Sequence, residues 1–505
     1  MRYRNYTIAL LAALAVFRVL YIILGPLDVS PDEAHYWEWS RRLDLSYYSK
    51  GPGVAYVIAF FTSIFGANEL GIRIGAVVFS TAGSWMIYLV AKELFKSEKI
   101  GFYSALLPNI TPIFSIGTIL MTTDVMLIFF WVSAIYCVKR AIDTGKGGWW
   151  YSGGVLVGLG FLSKYTIVLL YPFLALFFLI SKENRHWLTR KEPYITGLIS
   201  LVFATPVIFW NIAHGQVTIK HTMGQAHVGS GGFSLGPFFE FLGSQAGLLT
   251  PLIFIGAVYG VWRCLILGFK EKRSELLLVF FSSAPLFLFF LFKSLHGKVQ
   301  ANWAIASFAT AFPASVWAFS VLYNRKGATG RKVLKGLAVF TIAFGVIISA
   351  LAYFPWALEP LGVKRIMKGP PYNRVTGWQQ LGDKVSSVKE EMEKLGKTFV
   401  ASDTYQITSE LALYTKGNPI AYNFDTGSRR MNQYDLWSGY QGLIGYNALY
   451  VKGGIADIEP AISEAFDRCD REVAPIYWDG KPLKEFSLFR CYNFKGMERH
   501  EKNKY

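Results

Sequence analysis

Apolar runs about as long as a bilayer is thick recur through residues 1–357, and nothing else constrains the fold as strongly. About 20 helical residues cross the hydrocarbon core, where every backbone polar group must be paired internally. Segments of this kind fall at 7–25, 70–91, 100–119, 122–140, 149–163, 165–181, 194–212, 237–262, 275–292, 301–321 and 333–356. This predicts about eleven crossings and a polytopic α-helical membrane protein. The pair 149–163 and 165–181 is short and meets at Ser163-Lys164-Tyr165. Gly53 to Phe65 is too short to cross and reads as an interfacial helix. The first run, Tyr6 to Leu24, has no small-residue cleavage site before Pro26, so it reads as a retained helix. Charged residues make up 17% of the chain, against about 25% in soluble domains.

The net charge of +17 would suit a nucleic-acid binder, but the positions of the basic residues argue against one. They cluster in alternate loops: Arg2/Arg4, Lys92/Lys96/Lys99, Lys139/Arg140/Lys146, Lys182/Arg185/Arg190/Lys191, Arg263/Lys270/Lys272/Arg273 and Arg325/Lys326/Arg331/Lys332/Lys335. The intervening loops carry only Arg41, Arg42, Lys50, Lys164, Lys220, Lys293 and Lys298. Short basic loops stay in the cytoplasm, which puts the N-terminus inside and the C-terminus outside. A crossing by Gly53 to Phe65 would invert that asymmetry.

After Trp356 the long apolar runs stop, so 1–357 is expected to be the membrane domain and 358–505 a small extracytoplasmic α/β domain. A helix is expected over 385–395, strands at Thr398 to Ser402 and Ala448 to Val451, and helical stretches near 404–414 and 457–468. Cys469 and Cys491 both fall in this domain; an oxidising compartment would let them pair, and two free thiols are the alternative.

The stretch Ser30-Pro31-Asp32-Glu33-Ala34-His35-Tyr36-Trp37-Glu38-Trp39 follows the first apolar run. Ser30 and Glu33 have capping-box spacing and Pro31 suits the first helical position, so a short helix starts here. Asp32 then lies near the positive end of the helix dipole. Tyr36, Trp37 and Trp39 are aromatics of the kind that settle at a membrane–water boundary. Ionisable residues at helix ends on one membrane face are functional candidates. On the outer face these are Asp32, Glu33, Asp124, Lys50, Lys220, His221, His227, His296 and Lys298. The two first-loop acids equally suit a plain helix start. No close histidine spacing marks a metal site. Arg41 and Arg42 suit lipid phosphates or acids of their own loop. The convergence of acids and lysines on one face favours chemistry: a carboxylate accepts a proton from a hydroxyl, and lysines hold a departing phosphate.

Asp32-Glu33, Tyr47-Tyr48-Ser49-Lys50-Gly51-Pro52 and Thr123-Asp124 together resemble the membrane glycosyltransferases of the GT-C class. Within it the chain is similar to the family of aminoarabinose and galacturonic-acid transferases of lipid A, relatives of protein O-mannosyltransferases. Phe161 to Tyr165, Lys298 to Trp303 and Gly427 to Asp435 also resemble bacterial members. The resemblance implies a polyprenyl-phosphate sugar donor, a lipid or glycolipid acceptor, and transfer outside the bacterial inner membrane. It implies catalytic roles for Asp32 and Asp124, with Glu33 beside them, and donor-phosphate binding by Lys50. Lys298 and Lys220 are added here as phosphate contacts, and His35, Tyr48, Lys164 and Arg41 as substrate contacts. Ser49 stands where the aminoarabinose transferases carry an acid, so a divalent metal is left open. The cations Lys164, Lys220 and Arg41/Arg42 would suit a uronic acid. The expected reaction is direct displacement at the anomeric carbon through an oxocarbenium-like transition state. The rivals are a protein O-glycosyltransferase and a lipid flippase or transporter, whose paired halves and midplane charges this chain lacks.

Overall fold

A computed structural model describes residues 2–225, 232–361, 366–369, 372–427, 429–437 and 439–497. Eight helices among them are long and apolar enough to cross a bilayer: Arg2–Leu24, Glu69–Phe95, Thr123–Thr144, Lys191–Ala213, Pro251–Lys270, Ser274–His296, Ala301–Arg325 and Ala328–Tyr353. Gly147–Ser163 and Tyr165–Ile180 are shorter, and Gly53–Phe65 is a helix of 13 residues.

Prolines explain where the expected segments break. The run 100–119 splits into Glu98–Asn109 and Pro112–Gly117, with Thr111 extended before Pro112. The run 237–262 splits into Leu235–Leu249 and Pro251–Lys270 around Thr250, which has φ +69°. A proline ring disfavours helical backbone in the residue before it and offers no N–H.

The first loop forms helix Pro31–Ser40, opened by the capping box between Ser30 and Glu33. Tyr36, Trp37 and Trp39 are buried rather than spread along a membrane boundary, since their helix packs against both Gly53–Phe65 and helix Tyr405–Tyr414 of the C-terminal domain. Ser409 donates to the Pro31 carbonyl, and Tyr47 stacks on Trp39 with ring centroids 4.4 Å apart.

That domain is built on a five-stranded sheet of order β2-β1-β3-β5-β4. The strands are β1 (Thr398–Ser402), β2 (Ala421–Asn423), β3 (Asn447–Gly453), β4 (Arg468–Trp478) and β5 (Lys481–Tyr492). β1 is fully buried and runs parallel to β2 and β3, as expected of a strand covered on both faces. The helix expected near 457–468 is confined to Pro460–Glu464, since Arg468 already begins the β4–β5 hairpin. Asp479-Gly480, both at positive φ, forms its two-residue turn, the chemistry such hairpins favour. Cys469 and Cys491 face each other across this pair and are disulfide-bonded. Helix Trp378–Glu393 lies where 385–395 was expected, and Tyr405–Tyr414 where 404–414 was.

One ion pair ties the first loop to the membrane helices. Arg73 of Glu69–Phe95 donates from Nε and Nη2 to the two Glu33 oxygens, each at 3.0 Å, and to the carbonyls of Leu27 and Asp28. The Met121 amide adds a 2.8 Å bond to Glu33. Both side chains are buried. Removing one partner of such a pair strands the other charge, at a cost of about 3 to 5 kcal/mol. Glu33→Leu or Arg73→Met alone should therefore sharply lower the thermal midpoint of the purified protein. The double variant should lose less than either single one.

Candidate active site

Asp32 sits in the first turn of Pro31–Ser40, and its side chain stays 43% exposed. Arg374 Nη2 lies 3.0 Å from one carboxylate oxygen, and the Tyr405 hydroxyl donates to the other over 3.3 Å. One helical turn on, Tyr36 lies on the same face. Burial, followed by the charges of Asp32, Asp124 and Glu33, holds its hydroxyl protonated. Tyr36 thus stands within electrostatic reach of both proposed acids.

Asp124 opens helix Thr123–Thr144, where the dipole favours a carboxylate. It accepts from Lys164 Nζ at 2.5 Å and from Asn302 Nδ2 at 2.6 Å. Lys164 is in the extended break between Gly147–Ser163 and the 3-10 turn Tyr165–Leu169, and Asn302 is in the 3-10 turn Ala301–Ser307. Asp124 and Asn302 line a cavity of about 360 Å³ whose other walls are mostly apolar, including Leu120, Ile128 and Ile305.

Lys50 completes the cluster. Its charge acts on Asp124, Lys164 and His221. Its backbone is fixed on several sides. Gln433 accepts from the Tyr48 amide at 2.7 Å, Thr218 donates to the Tyr47 carbonyl, and His221 Nδ1 lies 3.2 Å from the Tyr48 hydroxyl. Gly51 passes the end of helix Gly147–Ser163 so closely that a Cβ would meet the Leu162 carbonyl oxygen at 2.3 Å. This close pass carries Lys50 to the break that holds Lys164. Among the described residues, no carboxylate lies within ion-pair distance of the Lys50 ammonium.

The structure therefore brings Asp32, Asp124, Lys50 and Lys164 to one region, with Tyr48 supporting Lys50. Five expected residues are placed differently. Glu33 is a buried partner of Arg73 and offers Asp32 no second free acid. His35 is packed among Trp39, Tyr405 and Tyr434, and burial pushes its imidazole down to about 3, so it is a neutral core ring. Arg41 donates to Glu38 and to the carbonyls of Asn418 and Pro419, which docks the C-terminal domain instead of a substrate. Lys298 pairs with Glu240 at 2.6 Å, both more than half exposed. Lys220 lies on the exposed side of helix Val217–Gln225. Burial, then Lys50 and Arg430, push His221 down to about 4; His227 lies outside the described residues. Among those residues no three His, Cys, Asp or Glu side chains cluster as metal ligands. Asp124 is already surrounded by an ammonium and an amide donor, so this site does not fit a divalent ion.

Tyr36 reads from the sequence only as a boundary aromatic, and Asn302, Arg374 and Tyr405 are not marked by it individually. Asn302 lies inside the stretch Lys298 to Trp303 that carried part of the resemblance. Arg374 and Tyr405 reach Asp32 only through the folding of a distant domain.

A family model described as dolichyl-phosphate-mannose-protein mannosyltransferase matches residues 49–210. The lipid A galacturonosyltransferase RgtD of Rhizobium johnstonii is 29% identical over 326 residues, covering 64% of this chain and 67% of that protein. The undecaprenyl phosphate-alpha-4-amino-4-deoxy-L-arabinose arabinosyl transferase of Erwinia tasmaniensis is 26% identical over 407 residues, covering 72% and 68%. The crystal structure of ArnT from Cupriavidus metallidurans bound to undecaprenyl phosphate shares the fold. Its TM-score is 0.63 at 14% identity, over 95% of this chain and 97% of that one. With its helical membrane body and C-terminal sheet domain, the chain has the GT-C fold and is similar to the lipid A sugar transferases.

Proposed function

We propose that the protein moves a sugar from a polyprenyl-phosphate donor to a lipid A-like glycolipid at the outer face of the bacterial inner membrane. In this reading the N-terminus is inside and the α/β domain outside. The observation that carries it is the meeting of Lys50, Lys164 and Asp124, with Asp124 itself lining an apolar cavity. A lipid tail needs the apolar walls, and a phosphate needs the ammonium groups.

The roles follow from exposure as well as from partners. Asp124, whose side chain is 13% exposed, accepts from Lys164 and Asn302 and so fixes them rather than meeting the acceptor. Among the described residues Lys50 has no carboxylate partner, and it is the principal phosphate ligand, with Lys164 beside it. Asp32, the exposed carboxylate, meets the acceptor. As the acceptor oxygen bonds to the anomeric carbon, the bond from that carbon to the phosphate oxygen breaks. The phosphate leaves with the electron pair, stabilised by the lysines, and Asp32 takes the proton of an acceptor hydroxyl. A phosphate acceptor is already anionic, and Asp32 then only orients it. Arg430, whose charge acts with that of Lys50 on His221, would suit the carboxylate of a uronic acid as the sugar, in keeping with the name of the Rhizobium relative. A protein acceptor is the second reading, favoured by the family model over residues 49–210.

Incubating the purified protein with radiolabelled polyprenyl-phosphate sugars, and with glycolipid or peptide acceptors, separates the two readings. Asp32→Asn should abolish transfer while the protein stays folded; near-normal turnover would refute the role of Asp32. Lys50→Ala should lower kcat on the order of 10²-fold, the usual loss when one stabilising donor is removed. Lys298→Ala removes an exposed ion pair and should change turnover less than about fivefold.

A further inference from the structure

Helix Tyr405–Tyr414 of the C-terminal domain lies along the first outer loop. At one end the Tyr405 hydroxyl reaches Asp32, and Ser409 donates to the Pro31 carbonyl. At the other end the Tyr414 hydroxyl accepts from the Val29 amide at 2.7 Å and donates to Glu69 at 2.8 Å. Between these contacts Glu410 is 1% exposed, and neither of its carboxylate oxygens has a hydrogen-bond partner. The sugar-transfer mechanism does not use it.

The charged and titratable groups facing Glu410 come from both sides of the joint. From the loop and membrane side these are Asp28, Glu33 and Arg73, the last two satisfied by each other. Tyr414 of the same helix faces Glu410, Asp28 and Glu69. From the sheet comes Lys484, which lies outside ion-pair distance. Its ammonium sits 3.9 Å above the Trp378 ring and donates to the Asn373 carbonyl. Asp28 accepts from the Trp378 amide at 2.7 Å, and the Trp378 indole donates to the Arg374 carbonyl. One face of the joint thus leads through Tyr405, and the other through Trp378 and Arg374, to the same carboxylate, Asp32.

We propose that Glu410 is a proton-dependent positioning residue. With its proton it lets helix Tyr405–Tyr414 seat on the first loop, and without it the helix lifts and takes Tyr405 and Arg374 off Asp32. This rests on the reading of Asp32 as the acceptor-side carboxylate. An unpartnered carboxylate cannot be buried ionised without a large desolvation penalty, so the seated form holds the proton. Burial, with Asp28 second, holds Glu410 well above the usual carboxylate range. Burial also pushes Asp28 up to about 6 and Lys484 down to about 8.

The sign follows from linkage. The seated form binds a proton that the released, solvated carboxylate gives up near its ordinary value. Seating is therefore strongest in acid, and it weakens about tenfold per pH unit as pH rises, until the seated Glu410 itself ionises. Asp28 acts in the same direction and is spent above about pH 6.

The test uses the full-length protein in lipid nanodiscs from about pH 5 to 8. Amide hydrogen exchange of peptides spanning 405–414, corrected for its intrinsic pH dependence, is read without substrate. Acceptor KM and kcat are read beside it. The wild type should lose protection and show a rising acceptor KM as pH rises, whereas Glu410→Gln should be flat above about pH 6. A variant that tracks the wild type overturns the proposal. So does wild-type protection that does not change with pH, which decides the matter even if the variant fails to fold. An active Asp32→Asn enzyme with pH-dependent exchange would instead remove the role of Asp32 and leave the docking of the helix standing.

Discussion

The buried pair of Glu33 and Arg73 is the contact on which the rest of the site depends. It joins helix Pro31–Ser40 to helix Glu69–Phe95, and through the Met121 amide it reaches the residues just before Asp124. Asp32 precedes Glu33, and Asp124 lies three positions after Met121. The Glu33 carboxylate therefore ties the backbone beside Asp32 to the backbone three residues before Asp124. The Glu33 and Arg73 side chains are both buried, so the pair holds only because each also has further partners. A carboxylate that reads from sequence as half of an exposed acid pair works here as the anchor of its neighbour.

The charges of the site divide into satisfied and open groups. Asp124, Lys164 and Asn302 form a closed set. Lys50 faces the same region without a carboxylate of its own, held by a glycine that must pass a helix end and by a glutamine from the C-terminal domain. Asp32 is held by an arginine and a tyrosine from that domain, yet remains accessible. A fixed anion-binding side and an accessible carboxylate side suit a displacement in which one group departs as a phosphate and the other arrives as an alcohol.

Much of this was legible in the chain, for identifiable reasons. Hydrophobic length located the membrane helices, and proline position explains where two expected spans break. The capping box gave the start of Pro31–Ser40, and strand composition located β1 and β3. The Asp479-Gly480 pair is a hairpin signal present in the sequence, and it marks the β4–β5 turn that limits the preceding helix to Pro460–Glu464. The roles of Glu33, His35 and Arg41 were not legible, because each depends on a group far along the chain: Arg73, Tyr405 with Tyr434, and Asn418. Arg374 belongs with them; nothing local marks it, and only the seating of the C-terminal domain brings it to Asp32.

The central claim is that Lys50 and Asp32 serve one site, with the donor phosphate on the lysine side. The most direct measurement is a structure of the protein in a lipid nanodisc with a polyprenyl phosphate bound. The account predicts phosphate density within about 3 Å of the Lys50 ammonium, with the chain of the lipid in the cavity beside Asp124 and Asn302. Phosphate density elsewhere, with Lys50 unengaged and that cavity empty, would contradict it.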